Sequence, residues 1–169
     1  MTEPEQLKIF EDWLERHQGL LFKVVRAYAF NQHDQDDLFQ EITSQVWNSI
    51  PRFERRSAET TWLYRVAIYA ALGWTKKEVK HRQNKEAIQE GAHALLPSKS
   101  SNPQLDWLYE QIAELDMVDR SITLMMLDGF SYKDISETLG ISESNVGVKL
   151  NRIKKHLTQL SNDKHHEIR

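Results

Sequence analysis

MLDGFSYKDISETLGISESNVGVKLNRIKKHLTQL, residues 126–160, carries two helical periods in succession. Tyr132, Ile135 and Leu139 are spaced as one apolar face of a short helix, Gly140 follows as a turn, and Ser142 stands where a serine caps a second helix. Val146, Leu150, Ile153, Leu157 and Leu160 then continue a single apolar stripe. Two helices joined by a short glycine-containing turn make a helix-turn-helix, whose second helix can enter the major groove of duplex DNA. Because the stripe must face a core, Ser144, Asn145, Val148, Lys149 and Arg152 are left on the arc open to a groove, with Lys154 and Lys155 placed for the DNA backbone.

Upstream of this module, residues 91–104 (GAHALLPSKSSNPQ) collect Gly, Pro and Ser and lose helical periodicity, the mark of a linker. Elsewhere the apolar spacing is helical and no stretch alternates with period two. The expectation is therefore an all-α chain of two small helical domains, residues 1–90 and 105–169. Helices are expected over about residues 5–16, 18–30, 34–50, 58–85, 105–115, 117–127, 132–139 and 143–160.

In the first domain, Asp34 is placed to cap a helix with Leu38, Ile42, Val46 and Trp47 as its buried stripe, leaving Asp37, Gln40, Glu41 and Gln45 on an acidic exposed face. Pro51 ends that helix and RFERRSAET supplies a basic loop. On the next helix, at 100° per residue, Trp62, Arg65, Tyr69, Gly73, Lys76 and Lys80 fall within about 60° of one line, beside an apolar face of Leu63, Ala67, Ala70, Ala71 and Trp74. Alternating aromatic and basic groups suit unpaired nucleic acid, since rings stack on any base at roughly 1 to 3 kcal/mol each while cations follow the phosphates. Buried aromatics beside solvated lysines would give the same spacing.

The 169 residues include 22 basic and 25 acidic side chains, for a net charge of -3, so bulk charge alone does not argue for nucleic-acid binding. Distribution does more. Residues 1–50 sum to -5, 51–90 to +4, 91–130 to -4 and 131–169 to +2, an acidic-then-basic order that occurs twice. The absence of cysteine excludes disulfides, thiolate zinc sites and cysteine nucleophiles. Asp34, Asp36, Asp37 and Glu41 lack the glycine turn and spacing of a calcium loop, so no metal or other cofactor is expected. The N-terminus lacks a secretory pattern, and the most apolar stretch, Thr61 to Trp74, spans 14 residues with Arg65 inside it, against roughly 20 for a membrane span. A cytoplasmic protein without direct membrane insertion is expected.

DDLFQE, RFERR, TWLYRVA, a basic helix end, a linker and GFSYKDISETLGIS, in this order, resemble the extracytoplasmic-function (group IV) sigma factors of bacterial RNA polymerase, over nearly the whole chain. The resemblance implies an initiation factor without enzyme activity, whose regions 2 and 4 are residues 1–90 and 105–169 here. It implies that Asp37, Leu38, Gln40 and Glu41 dock on the β-prime clamp helices of core polymerase, and that region 4 meets the β flap. Phe53, Arg55, Arg56 and Ser57 correspond to the loop that captures a flipped minus-10 base; the expectation that Trp62, Arg65, Tyr69, Lys76 and Lys80 follow the opened strand comes from their own spacing on the helix and not from the resemblance. Ser144, Asn145, Val148, Lys149 and Arg152 correspond to the minus-35 reading face, and an anti-sigma factor is an expected partner. The chain departs from the family pattern at Ile68 and Tyr69, where Arg-Asn is frequent, and at Gly147 and Val148, where a polar or basic pair is frequent.

Two other readings compete. A conventional duplex-binding regulator, with the first domain for dimerisation or sensing, explains Lys149 and Arg152 but not the Trp62 to Lys80 stripe. A helical metal enzyme using Asp36, Asp37, Glu41 and scattered histidines has no His pair spaced as ligands.

Overall fold

A computed structural model describes residues 1–86 and 101–167, with side chains over 1–84 and 101–164. Seven α-helices and one short 3-10 turn make up the regular structure, with no strand among the described residues, so the all-α expectation holds. The chain divides into two compact units, Met1–Tyr109 and Glu110–Arg169. Residues 91–100 of the expected linker lie outside the described residues.

In the first unit, α1 (Glu3–Tyr28), α2 (Gln32–Ser49) and α3 (Glu59–Glu86) pack pairwise into a three-helix bundle, with a 3-10 turn at Ile50–Arg52 between the last two. Helix α1 is continuous where two helices were expected. Gly19 costs about 1 kcal/mol in a helix interior. The buried run of Trp13, Leu21, Val24, Val25 and Tyr28 on both sides of it outweighs that cost. Arg16 ties this helix to α3, donating to Glu59 at 2.9 Å while also binding Asp12, whose carboxyl it holds below the ordinary range.

Helix α2 starts earlier than expected because Asn31, not Asp34, is the cap: its side chain accepts from the Asp34 N–H at 2.9 Å. Asp34 is instead buried in the first turn, where its carboxylate accepts from Asn31 and from Arg82 of α3, each at 2.7 Å. Leu38, Ile42 and Val46 are fully buried as expected, while Trp47 is half-buried and meets the Phe10 ring edge-on at 5.4 Å.

Helix α4 (Pro103–Glu114) begins inside the expected linker. Its first residues pack with the first unit, where Arg26 pairs with Asp106 and its guanidinium lies 4.2 Å from the Tyr109 ring centre. In the second unit, Asp116 caps α5 (Met117–Leu127) by accepting from the Val118 and Asp119 N–H groups at 3.0 and 2.9 Å. Buried Arg120 donates to the Ala113 and Leu115 carbonyls, closing the end of α4 onto α5.

Helices α6 (Tyr132–Leu139) and α7 (Glu143–Glu167) form the expected helix-turn-helix. Gly140 takes φ 68°, a left-handed conformation that glycine adopts without a Cβ penalty, and so turns the chain sharply after α6. Ser142 Oγ accepts from the Asn145 N–H at 3.1 Å, as a cap should. Val146, Leu150 and Ile153 enter the core with Ile112, Ile122, Met125 and Ile135, while Leu157 and Leu160 are half-buried and α7 outruns its expected end. Tyr132 is a correction: it is 41% exposed, and buried Ile135 and Thr138 hold α6 to the core instead.

Candidate nucleic-acid interface

The first unit holds a groove of about 520 Å³ between α2 and α3. Glu41, Gln45 and Ser49 line one side and Trp62, Arg65, Tyr69, Gly73 and Lys77 the other, with Arg52 on the 3-10 turn between them. Four members of the expected aromatic and basic stripe therefore share one concave surface with Trp62 at its head. Tyr69 is 53% exposed, and Arg65 Nε is buried without a hydrogen-bond partner. Lys76 and Lys80 are exposed further along α3, outside the groove lining. Arg52 and Lys77 were missed by the sequence reading, although Lys77 continues the helical line through Val66, Ala70 and Gly73.

Trp62 and Phe53 are more enclosed than open strand contacts would be. Trp62 is half-buried and its indole Nε1 donates to Ser49 Oγ at 3.1 Å. Phe53 lies between two tryptophans, 5.5 Å from the Trp62 ring and 5.2 Å from Trp13, edge-on to the latter. The two rings form the wall that anchors the loop to the bundle. The loop's accessible groups are Glu54, Arg55 and Arg56, with Ser57 half-buried between loop and helix. Arg55 takes φ 56°, unusual for a residue with a Cβ, and Arg56 pairs with Glu54 at 2.7 Å.

On the acidic face, Asp37 and Gln40 are exposed, and His33 Nε2 stands 3.4 Å from the Asp37 carboxylate. Leu38 is a second correction: it is fully buried in the bundle and cannot touch a partner, whereas half-buried Phe39, stacked 4.8 Å from Phe22, occupies the adjacent surface. Glu41 faces the groove and accepts from Gln45 at 3.0 Å, so the acidic face and the aromatic-basic face adjoin rather than lie apart.

On α7, Ser144, Asn145 and Val148 are exposed, Val148 to 64%. Lys149 and Arg152 are not free cations. Lys149 Nζ donates to one oxygen of Asp119 on α5 at 2.8 Å, and Arg152 Nη2 to the other at 3.3 Å. Gly147 faces protein rather than open space, since a Cβ there would lie 3.4 Å from Tyr132 Cε2. Among the described residues no group of three or more His, Asp or Glu comes together as a metal site.

Sigma-70 region 2 matches residues 13–80 and Sigma-70, region 4 matches residues 105–157. The chain belongs to the sigma-70 family. Within it, the chain is 26% identical over 162 residues to the ECF RNA polymerase sigma factor SigX of Bacillus subtilis, covering 85% of this chain and 80% of that one. It is 27% identical over 169 residues to the ECF RNA polymerase sigma-E factor of Haemophilus influenzae, covering 92% and 87%. In fold it is similar to the sigma factor RpoE of Bartonella quintana, solved in complex with the anti-sigma factor NepR, with a TM-score of 0.75, 18% identity, and coverage of 92% and 98%. CnrH, solved with the cytosolic domain of CnrY, gives a TM-score of 0.66 at 18% identity, covering 93% and 90%. The chain is thus an extracytoplasmic-function sigma factor, which directs RNA polymerase to promoters. The region 2 match accounts for the first unit, which the conventional-regulator reading left without a DNA role.

Proposed function

We propose that region 2 of this sigma factor opens promoter DNA by receiving the non-template strand in the groove between α2 and α3. The observation that carries this is the joining of Arg65, Tyr69, Lys77 and Arg52 on one concave surface beside the Arg55 and Arg56 loop. A ring more than half exposed next to cations is the pairing that holds an unstacked base and its phosphate. Lys76 and Lys80 extend the cationic track along α3. Phe53 and Trp62 support the loop, and base capture falls to the backbone and side chains of residues 54–57.

Asp37 and Gln40, with Glu41 at the groove's edge, form the surface for the β-prime clamp helices of core polymerase, and region 4 meets the β flap and the minus-35 duplex through α7. The protein works in the cytoplasm and has no enzyme activity of its own; among the described residues no helix is long and apolar enough to cross a membrane. A partner of anti-sigma type is supported by the two similar folds, each solved with such a regulator or a cytosolic partner domain. Run-off transcription with added core enzyme, combined with permanganate footprinting of the bubble, tests the reading. Core-dependent transcripts with thymine reactivity that falls in Tyr69→Ala are expected, and a normal bubble in Tyr69→Ala and Lys77→Ala together would refute the groove assignment.

A further inference from the structure

Asp119 is a carboxylate only 7% exposed, in the first turn of α5, whose N-terminal dipole favours its negative charge. Its side chain crosses to the recognition helix and takes one cation on each oxygen. The two cations are not equivalent. Lys149 is largely covered, its side chain 21% exposed, and its ammonium is committed at hydrogen-bond length. Arg152 is 65% exposed and touches Asp119 through a single N–H group at 3.3 Å, so most of its planar fork remains open to solvent.

We propose that Asp119 is a positioning residue for promoter recognition: it orients the Arg152 guanidinium toward the minus-35 duplex, and Lys149 serves as its internal counter-charge rather than as a phosphate contact. This rests on region 4 reading duplex DNA through α7. The physical reasons are two. A buried carboxylate needs a close, well-formed partner, which Lys149 supplies from within the fold. A guanidinium held at one corner loses less freedom when its remaining donors meet a base or phosphate, so the carboxylate contributes orientation rather than affinity. It also offsets one positive charge: with Asp119 ionised, the cluster of three side chains carries one net positive charge in place of two, which weakens indiscriminate binding to any phosphate backbone.

The test uses the full chain assembled with core polymerase and a promoter library randomised across the upstream element, bound at two salt concentrations. Arg152→Ala is expected to lose about tenfold discrimination at one base position, which checks the underlying reading independently. Asp119→Asn is expected to lose a comparable factor at that same position while total binding holds or rises and the salt slope steepens by about one. The double variant Asp119→Asn with Lys149→Met removes both halves of the buried pair, so it keeps the fold and still loses the discrimination. Asp119→Glu, which keeps the charge, restores part of it. Wild-type preference at the Arg152 position in Asp119→Asn and in the double variant overturns the proposal. If Arg152→Ala alone changes no preference, the duplex reading of α7 fails and the proposal falls with it.

Discussion

Replacing Trp62 by Ala separates a supporting wall from a stacking surface. Truncating a buried tryptophan costs about 3 to 5 kcal/mol, contacts included. Trp62 is half-buried against Phe53, so about 2 to 3 kcal/mol is expected for Trp62→Ala. In a bundle of about 100 residues this lowers the melting temperature by roughly 10 to 20 °C. Trp62→Phe keeps a ring but loses the bond to Ser49 Oγ, which retains its own contact with the Val46 carbonyl, so the loss falls to about 1 kcal/mol. Thermal denaturation followed by circular dichroism measures both, and permanganate reactivity in the holoenzyme at a temperature where each variant is folded measures strand opening. Trp62→Phe is expected to open promoters nearly as well as the parent. A Trp62→Ala protein as stable as the parent yet unable to open DNA would refute the packing argument and return Trp62 to the strand.

Arg55→Gly relieves the left-handed backbone at φ 56° and is expected to hold stability or raise it by up to about 1 kcal/mol while slowing promoter opening; unchanged opening kinetics would remove Arg55 from the strand. Gly147→Ala meets Tyr132 at 3.4 Å, an ordinary contact, so gained helix propensity should raise stability by about 0.5 to 1 kcal/mol in a melt of the full chain, with minus-35 binding retained. Charge reversal of Asp37 with Glu41 should weaken core polymerase binding at least tenfold in a pull-down titration without lowering the melting temperature, since neither carboxylate is buried in the core.

The parts of this fold that local chemistry dictates were open to reading from the sequence. Helices α5 and α6 begin and end where Asp116, Ser131 and Gly140 place them, because caps and a left-handed glycine act within a few residues of themselves. The α3 stripe was legible for the same reason, its period being a property of one helix. What escaped depends on contacts distant along the chain. Arg82 reaches Asp34 across 48 residues and Lys149 reaches Asp119 across 30, so spacing on α3 or α7 presents these cations as exposed while the fold supplies each with a carboxylate. Phe53 reads as an accessible loop aromatic until Trp13, 40 residues earlier in sequence, is brought against it. Leu38 escaped differently: its place inside DDLFQE carries it into a docking motif, but its own apolar stripe with Ile42 and Val46 already assigned it to the core.

The same long-range pairs alter what the charge blocks mean. The +4 of residues 51–90 includes Arg82, matched by Asp34 of the preceding block, and the +2 of residues 131–169 includes Lys149 and Arg152, which share Asp119. Both buried acids sit in the first turn of a helix, where the dipole stabilises them, and both neutralise a cation on the longest helix of their unit. A cation already matched inside the fold releases little counterion when a phosphate approaches, so the salt dependence of DNA binding counts the unmatched ones, not the sequence total. Segment sums therefore overstate the attraction between this chain and a generic duplex. With so little bulk attraction to draw on, promoter affinity must come from positioned contacts and from the polymerase that holds both units against DNA at once, since two weak sites on one assembly bind far more tightly than either alone.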